Sequence, residues 1–222
     1  MKQNFAAFFF AIIFLLCARP ADAVVCAPAK LVHLVTVDVT PGIPAGSFGA
    51  QPRVMYRIGS DRVRIEEAPD VPGGIHGVVV MAEPNIWMAN LFDHTGKHIV
   101  DPGPTFYAKA PIFYGTPGLS TKLIDLEFGC EAEFIAANAP APVRSEQIGA
   151  DRFDVYRVDG GSDAVEILER SGTSIPSYVR YYQQGKLLEA IRYDLYVTGL
   201  PNDPNLFVPP SGVRYSEAGS GS

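Results

Sequence analysis

The chain has 222 residues and a formal net charge of −6, and 47% of its residues are hydrophobic. Nucleic-acid binding requires a cluster of Lys and Arg side chains that displaces phosphate counterions, and this mildly acidic sequence shows no such cluster. Nucleic acid is therefore not an expected partner. The length suits one well-buried domain.

The first 23 residues follow the three-part pattern of a secretory signal peptide. Lys2 precedes an apolar run over 5–18, and the small residues Ala21 and Ala23 stand just before Val24. The run is shorter than the roughly 20 apolar residues that a membrane-spanning helix needs. We predict a cleaved signal peptide over 1–23, a single domain over 24–216, a flexible tail over 217–222, and a soluble periplasmic protein.

Two cysteines remain after the predicted cleavage, Cys26 and Cys130. An oxidising compartment favours a disulfide between them, and two buried thiols are the alternative. Two isolated cysteines lack the paired spacing of a zinc site, and His94 and His98 flank a predicted turn. The sequence therefore predicts no metal site.

Alternation of apolar and polar residues with period two dominates the rest of the chain. Runs of this type, separated by Gly, Pro, Asn and Asp, are typical of an antiparallel meander. The pattern predicts strands over 31–39, 53–58, 62–67, 75–81, 85–92, 97–100, 143–148, 152–158, 165–170, 178–183, 187–198 and 213–215.

One segment, 119–137, changes to the i, i+3, i+4 spacing of a helix. Leu119, Leu123 and Leu126 follow this spacing, and Ser120 is a candidate N-cap. Gly129 costs about 1 kcal/mol relative to alanine inside a helix, so a break or a short strand at this point is the alternative. A sheet of this size tends to curl, and one helix on its concave side leaves room for a ligand.

The sequence offers no identifiable reaction centre. It has no Gly-x-Ser-x-Gly nucleophile elbow, and the glycine pairs are typical of turns rather than of phosphate-binding loops. Asp101, Asp125 and Glu127 are candidates for paired carboxylates, but nothing in the pattern fixes their separation. We therefore expect a non-enzymatic protein without a cofactor.

Three segments resemble the periplasmic lipoprotein-carrier proteins of the lipoprotein localisation (LolA/LolB-like) superfamily. The last of these segments has an acidic loop that leads to Leu206-Phe207, followed by proline and glycine. The likeness covers roughly 52–213. The segments are Tyr56-Arg57-Ile58-Gly59-Ser60-Asp61-Arg62-Val63-Arg64, 87–101 and Asn205-Leu206-Phe207-Val208-Pro209-Pro210-Ser211-Gly212-Val213.

The resemblance implies a mainly β (α+β) fold, in which a curved antiparallel sheet forms a half-open β-barrel and a helix covers its concave face. It also implies an apolar concave face that accepts acyl chains and a functional arginine. Carriers of this superfamily usually open with a helix, whereas 30–40 is predicted here as a strand. The candidates for the arginine are Arg53, Arg57, Arg62 and Arg64.

Alternation in the hairpin 53–67 selects the candidate ligand-lining residues. Val63 and Ile65 alternate with charged neighbours, and pairing across the turn at 59–61 is expected to bring Tyr56 and Ile58 to the same side. Trp87 is expected near the rim. A slip of one residue in register reverses such an assignment.

Three functions remain open at this point. The first is a monomeric binder of a lipid, an acylated lipoprotein or another apolar ligand, with a role in lipid or lipoprotein trafficking. The second is an envelope interaction protein without a small ligand, and the third is a secreted hydrolase. A solvent-exposed apolar cavity favours the first, a filled barrel the second, and a cleft with convergent His and carboxylate groups the third.

We predict that the mature protein begins at Val24. Intact-mass measurement of protein purified from the periplasm is expected to match residues 24–222. A mass that includes residues 1–23, or a diacylglyceryl-modified cysteine, contradicts the prediction.

Overall fold

The computed structural model describes residues 25–101, 103–113 and 119–217. The predicted signal peptide, 1–23, lies outside these residues. So does the predicted tail except for Glu217, which lies in the last strand.

The described residues form twelve strands and one α-helix. Each strand overlaps one predicted from the sequence, and the ends differ by two residues at most. The strands are β1 (Leu31–Asp38), β2 (Arg53–Ile58), β3 (Arg62–Glu67), β4 (Gly77–Ala82), β5 (Asn85–Asn90), β6 (Thr95–Val100), β7 (Arg144–Ile148), β8 (Asp151–Asp159), β9 (Asp163–Arg170), β10 (Pro176–Gln183), β11 (Lys186–Leu200) and β12 (Arg214–Glu217), and the helix is α1 (Glu131–Asn138).

All twelve strands belong to one curved, unclosed sheet in the order β12-β6-β5-β4-β3-β2-β1-β11-β10-β9-β8-β7. Neighbouring strands are antiparallel except for β12, which pairs with β6 in parallel. Two meanders, β2–β6 and β7–β11, are joined by the pairing of β1 with both β2 and β11. The predicted fold class, a half-open antiparallel barrel with a helix, is confirmed.

The two faces of the sheet differ in what covers them. We call concave the face that carries Leu34, Met55 and Val63, because these residues belong to the main hydrophobic core. Directly opposed residues of an antiparallel pair share a face, so Ile65 and Val79, which are opposite each other, lie there as well. The other face is called convex.

A long connection between β6 and β7 lies over the concave face, and we call its described residues, 103–113 and 119–139, the lid. Its apolar side chains complete the main core, since Phe113, Leu123 and Phe134 are almost fully buried there. The lid is helical only at Glu131–Asn138, so the predicted helix over 119–137 is wrong in its first half.

Gly129 explains where the helix begins. Its φ of +87° is a backbone conformation that a helix does not contain and that glycine adopts without strain. Leu123 lies in a turn and Leu126 in irregular backbone before it, so their spacing reflects burial against the sheet rather than helical periodicity.

The convex face is partly covered by the chain between β11 and β12. A short 3-10 helix in this connection, Pro204–Phe207, packs against β3 and β4. The convex side chains Val78 and Val80 of β4 are almost fully buried, as is Phe207 itself. This connection therefore forms a second, smaller apolar layer on the back of the sheet.

A disulfide joins Cys26 to Cys130, with a Cα–Cα distance of 5.7 Å, and confirms the predicted pair. It links the residues before β1 to the start of α1, so the lid is covalently attached beside the first strand. A loop of about 100 residues closed in this way contributes up to ~4.7 kcal/mol in the chain-entropy model. In the described part of the chain, no helix combines the length and hydropathy required to cross a membrane.

We predict that Phe207→Ala lowers the free energy of unfolding by about 3–5 kcal/mol, because it leaves a cavity above β3 and β4. Val208→Ala is the matched control, since Val208 is the next residue and is 51% exposed. Its expected cost is within about 0.5 kcal/mol. Chemical denaturation of both variants measures the difference, and equal costs contradict the role of Phe207.

Candidate functional site

The lid covers only part of the concave face. Its apolar side chains pack on β1, β2 and β8–β11 and reach Val63 on β3. Ile65 and Met81 are partly buried at the margin of this core, and the concave face beside them, towards β6, is open. The site is therefore a trough on the outer strands of one meander, beside a core that is already filled.

The trough is a cavity of about 670 Å³. This volume is in the range of small-molecule sites, which are typically ~300–1,000 Å³. Its wall combines apolar side chains with a few polar groups at the ends of the strands. The lining residues are Ile65, Glu67, Ile75, Gly77, Val78, Val79, Met88, Ala89, Asn90, Thr95, Gly96, Lys97 and Ser216.

One cross-strand row forms the long axis of the trough. Ile65 is directly opposite Val79, Val79 is opposite Met88, and Met88 is opposite Lys97. Lys97 is in turn paired with Ser216 on the edge strand. The row is therefore apolar near the lid and ends in a cation and a hydroxyl at the edge of the sheet.

Glycine at position 96 allows β12 to pack closely against β6. A Cβ at this position meets the Tyr215 ring at 2.8 Å and the Met88 carbonyl oxygen at 2.6 Å, so an alanine here does not fit without movement of the backbone. The close packing of Gly96 and Tyr215 brings Ser216 to the end of the trough.

The predicted lining residues divide between the two faces. Val63 and Ile65 lie on the concave face, but Val63 is fully buried in the core and only Ile65 lines the trough. Tyr56 is opposite Arg64, and Ile58 is opposite Arg62. The placement of Tyr56 and Ile58 on the same side as Val63 is wrong, because the three-residue turn over 59–61 puts both of them on the side of Arg62 and Arg64.

Trp87 also lies on the convex face, opposite Val80, and not at the rim of the concave side. Its ring stacks on His98 with centroids 5.3 Å apart, and Tyr56 stacks in the same way on His33 at 4.4 Å. These aromatic side chains are therefore neighbours of histidines on the back of the sheet.

Arg57 is the only one of the four candidate arginines that is buried on the concave face, where it is 1% exposed. It lies opposite Val63 and points into the lid. Its guanidinium donates to the Glu127 carboxylate at 2.9 Å and to the Ala108 and Cys26 carbonyl oxygens at 2.9 and 3.2 Å. One side chain of β2 thus holds three separate segments of the chain.

Glu127 completes this arrangement from the lid. Its carboxylate accepts from Arg57 and from the backbone N–H of Ala110, both at 2.9 Å. Removing one partner of such a buried pair leaves an uncompensated charge and typically costs about 3–5 kcal/mol. Glu127, which the sequence offered as a candidate catalytic carboxylate, has a structural environment instead.

Glu131, the first residue of α1, makes a second polar contact between the lid and the sheet. The carboxyl group is fully buried and accepts hydrogen bonds from the hydroxyls of Tyr193 and Tyr196 on β11. The N–H of Gly129 donates to the same carboxylate. Gly129, which lies just before the helix, is thereby hydrogen-bonded to the first residue of the helix.

Burial raises the pKa of Glu131 above its ordinary value, and the hydroxyls of Tyr193 and Tyr196 oppose this rise only in part. Burial and the neighbouring carboxylate also raise the pKa of both tyrosines, so they remain hydrogen-bond donors. The contact between lid and sheet therefore contains a carboxyl group that is easier to protonate than an exposed one.

A third contact fixes the middle of the lid. Asp163 on β9 accepts a hydrogen bond from the backbone N–H of Ser120 at 3.1 Å. A Cβ at Gly160 meets Ser120 at 2.7 Å, so only glycine permits this approach. The described lid is thus held near its start by Ala108, in its middle by Ser120 and in its last part by the disulfide of Cys130.

Neither a protein-family model nor a curated protein matches the sequence. Solved structures with a similar fold were found. An uncharacterised conserved protein of Thermus thermophilus has 9% identity and a TM-score of 0.49, and the match covers 86% of this chain and 91% of that one. A chain of the MucA/MucB complex of Pseudomonas aeruginosa has 14% identity and a TM-score of 0.43 over 83% of this chain.

The match to the Pseudomonas complex spans only 57% of that chain. A LolA superfamily protein of Nitrosomonas europaea has 9% identity and a TM-score of 0.37, with coverage of 82% of this chain and 90% of that one. This superfamily is the one that the sequence motifs resemble.

We predict that Glu131→Gln alters how stability depends on pH. A raised pKa stabilises the folded state at low pH, and this contribution is lost as the pH rises from the unfolded value of 4.5 through the raised pKa. The glutamine stays neutral, so the variant is expected to gain stability relative to the wild type as the pH increases. Denaturation at several pH values measures this trend.

Glu133→Gln is the control for that experiment, because Glu133 is an exposed residue of the same helix. It is expected to leave the pH dependence of unfolding nearly unchanged. Parallel curves for the wild type and Glu131→Gln contradict the role assigned to Glu131.

Proposed function

We propose that this protein is exported to the periplasm and binds a lipid, an acyl chain or another apolar ligand in the trough, as a non-enzymatic carrier in lipid or lipoprotein trafficking. One observation carries the proposal: an open cavity of about 670 Å³ whose long axis is an apolar row of Ile65, Val79 and Met88. Apolar chains gain about 0.8 kcal/mol for each CH₂ removed from water, before the costs of association.

The exposure of the trough residues supports the same function. Met88 is 47% exposed and Ile75 is 41% exposed. Large apolar side chains that line one concavity and remain in water are typical of a binding surface. A ligand in the trough covers this surface without displacement of the lid, which is packed elsewhere on the concave face.

The compartment agrees with the cross-link between Cys26 and Cys130. Disulfides persist in oxidising compartments such as the periplasm and are rare in the bacterial cytosol. Export is the condition under which this pair stays oxidised. The predicted signal peptide, which is a separate part of the chain, is an independent indication of export to the periplasm.

The two alternative functions have less support in the site. The filled half of the concave face resembles the filled barrel expected of an interaction protein, but the open cavity beside it supports an apolar ligand instead. Of the titratable residues that a hydrolase needs, the described wall contains Glu67 and Lys97 and no histidine. Convergent acid and base groups are therefore missing from the described wall of this cavity.

We predict that Met88→Asp weakens the uptake of dansyl-undecanoic acid by about tenfold or more, because a carboxylate in an apolar wall must lose its hydration when the chain binds. Val100→Asp is the matched control. Val100 is 52% exposed and lies on the convex face, since it is opposite Asn85 and Asn85 is opposite Ala82.

Fluorescence titration of both variants and of the wild type measures uptake, and thermal unfolding confirms that each is folded. Equal losses for Met88→Asp and Val100→Asp, or no uptake by the wild type, contradict the proposal. Mass spectrometry of small molecules that co-purify with the periplasmic protein then identifies the natural ligand.

A further inference from the structure

The charged side chains of the trough are distributed unevenly along it. Lys97 stands at the end of the row Ile65, Val79, Met88, on the strand next to the sheet edge. It is exposed, and it forms no salt bridge with any residue in the described ranges. The trough therefore has an uncompensated cation at its outer end.

The acidic residue of the wall does not neutralise this cation. Glu67 lies on β3 and has Arg53 as its own partner, with Nε and Oε1 3.7 Å apart. Three strand spacings separate β3 from β6, which is roughly 14 Å in a sheet. Opposite charges at this separation are largely screened at physiological salt, where the Debye length is about 8 Å.

The other groups close to Lys97 are uncharged or are directed elsewhere. Ser216, its neighbour on β12, is neutral and donates to the Gly96 carbonyl oxygen at 3.3 Å. Glu217, the next residue, is paired with His98 in the strand register, and its Oε1 lies 3.0 Å from Nδ1 of the His98 ring. Glu217, the acidic residue that follows Ser216, is thus bound to a histidine on the convex face and not to Lys97.

We infer that the trough selects a single-chain amphiphile with an anionic headgroup, whose tail lies along Ile65, Val79 and Met88 and whose headgroup lies against Lys97 and Ser216. This inference rests on the proposed function and adds the orientation and charge of the ligand. A lysine suits this position because its alkyl stem packs on apolar neighbours while its ammonium remains in water at the headgroup.

The size of the effect follows from the exposure of Lys97. An ion pair in water contributes up to about 1 kcal/mol, which corresponds to about fivefold in affinity. The apolar row supplies most of the binding, and Lys97 decides between headgroups. The preference is expected to fall as salt is added, because the pair is solvent-exposed.

Three ligands with the same dodecyl chain test the inference on the full mature protein: dodecanoate, dodecyl maltoside and dodecyltrimethylammonium. Each is titrated below its critical micelle concentration as a competitor of bound dansyl-undecanoic acid. The expected order is dodecanoate first, about fivefold tighter than the maltoside, with the trimethylammonium ligand weakest. High salt is expected to bring the three affinities together.

Lys97→Met retains an apolar stem without the charge and is expected to remove the preference. Lys97→Glu is expected to favour the cationic ligand. Lys186→Met is the matched control, because Lys186 is an exposed residue of β11 outside the trough, and it is expected to leave the order unchanged.

Equal affinity of the wild type for all three ligands overturns the headgroup inference and leaves the proposed function intact. A preference for dodecanoate that persists in Lys97→Met overturns the assignment to Lys97. No binding of any of the three ligands overturns both the inference and the proposed function.

Discussion

The burial of one guanidinium, that of Arg57, is the constraint on which the arrangement of this protein depends. A charged group enters a protein interior only with its hydrogen-bonding capacity largely satisfied, and Arg57 achieves this with one carboxylate and backbone carbonyl oxygens from separate parts of the chain. Those partners lie in the lid and beside the disulfide. The lid must therefore lie over β2, and the trough is left on the strands beyond it.

This division separates the main core from the proposed binding surface. The covered part of the concave face has an apolar core completed by lid residues such as Phe134, and polar contacts such as that of Glu131 with Tyr193 fix its position. The open part has exposed side chains such as Met88 and is not required to complete the core. A ligand can enter the open part without the energetic cost of unpacking the main core, and evolution can alter the trough without loss of the fold.

The strands were predictable because alternation is a local signal, whereas the extent of the helix and the face that carries Tyr56 and Ile58 were predicted wrongly. The leucines before Gly129 have helical spacing, but they lie in turns and irregular backbone, and their side chains pack in the main core. In the first hairpin, Ile58 and Arg62 are directly opposite, so the loop has three residues and Gly59 adopts a φ of +64°. The turn predicted at 59–61 already has three residues and therefore pairs Tyr56 with Arg64, whereas only a loop with an even number of residues places Tyr56 beside Val63.

Most residues of the candidate site could not be predicted from the sequence, because they are brought together by the pairing of several strands. Ile65 was identified from its own strand, but Met88 and Lys97 enter the site through three successive strand pairings, and each pairing adds the uncertainty of its own register.

The centre of the sheet also depends on pairing between segments that are distant in sequence. β1 lies between β2 and β11, with Leu31 opposite Leu200, so one edge of this early strand has no partner until nearly the whole chain has been synthesised. In a chain that emerges from a ribosome or a translocation pore in N-to-C order, that apolar edge stays unpaired until β11 arrives, and unpaired strand edges favour aggregation.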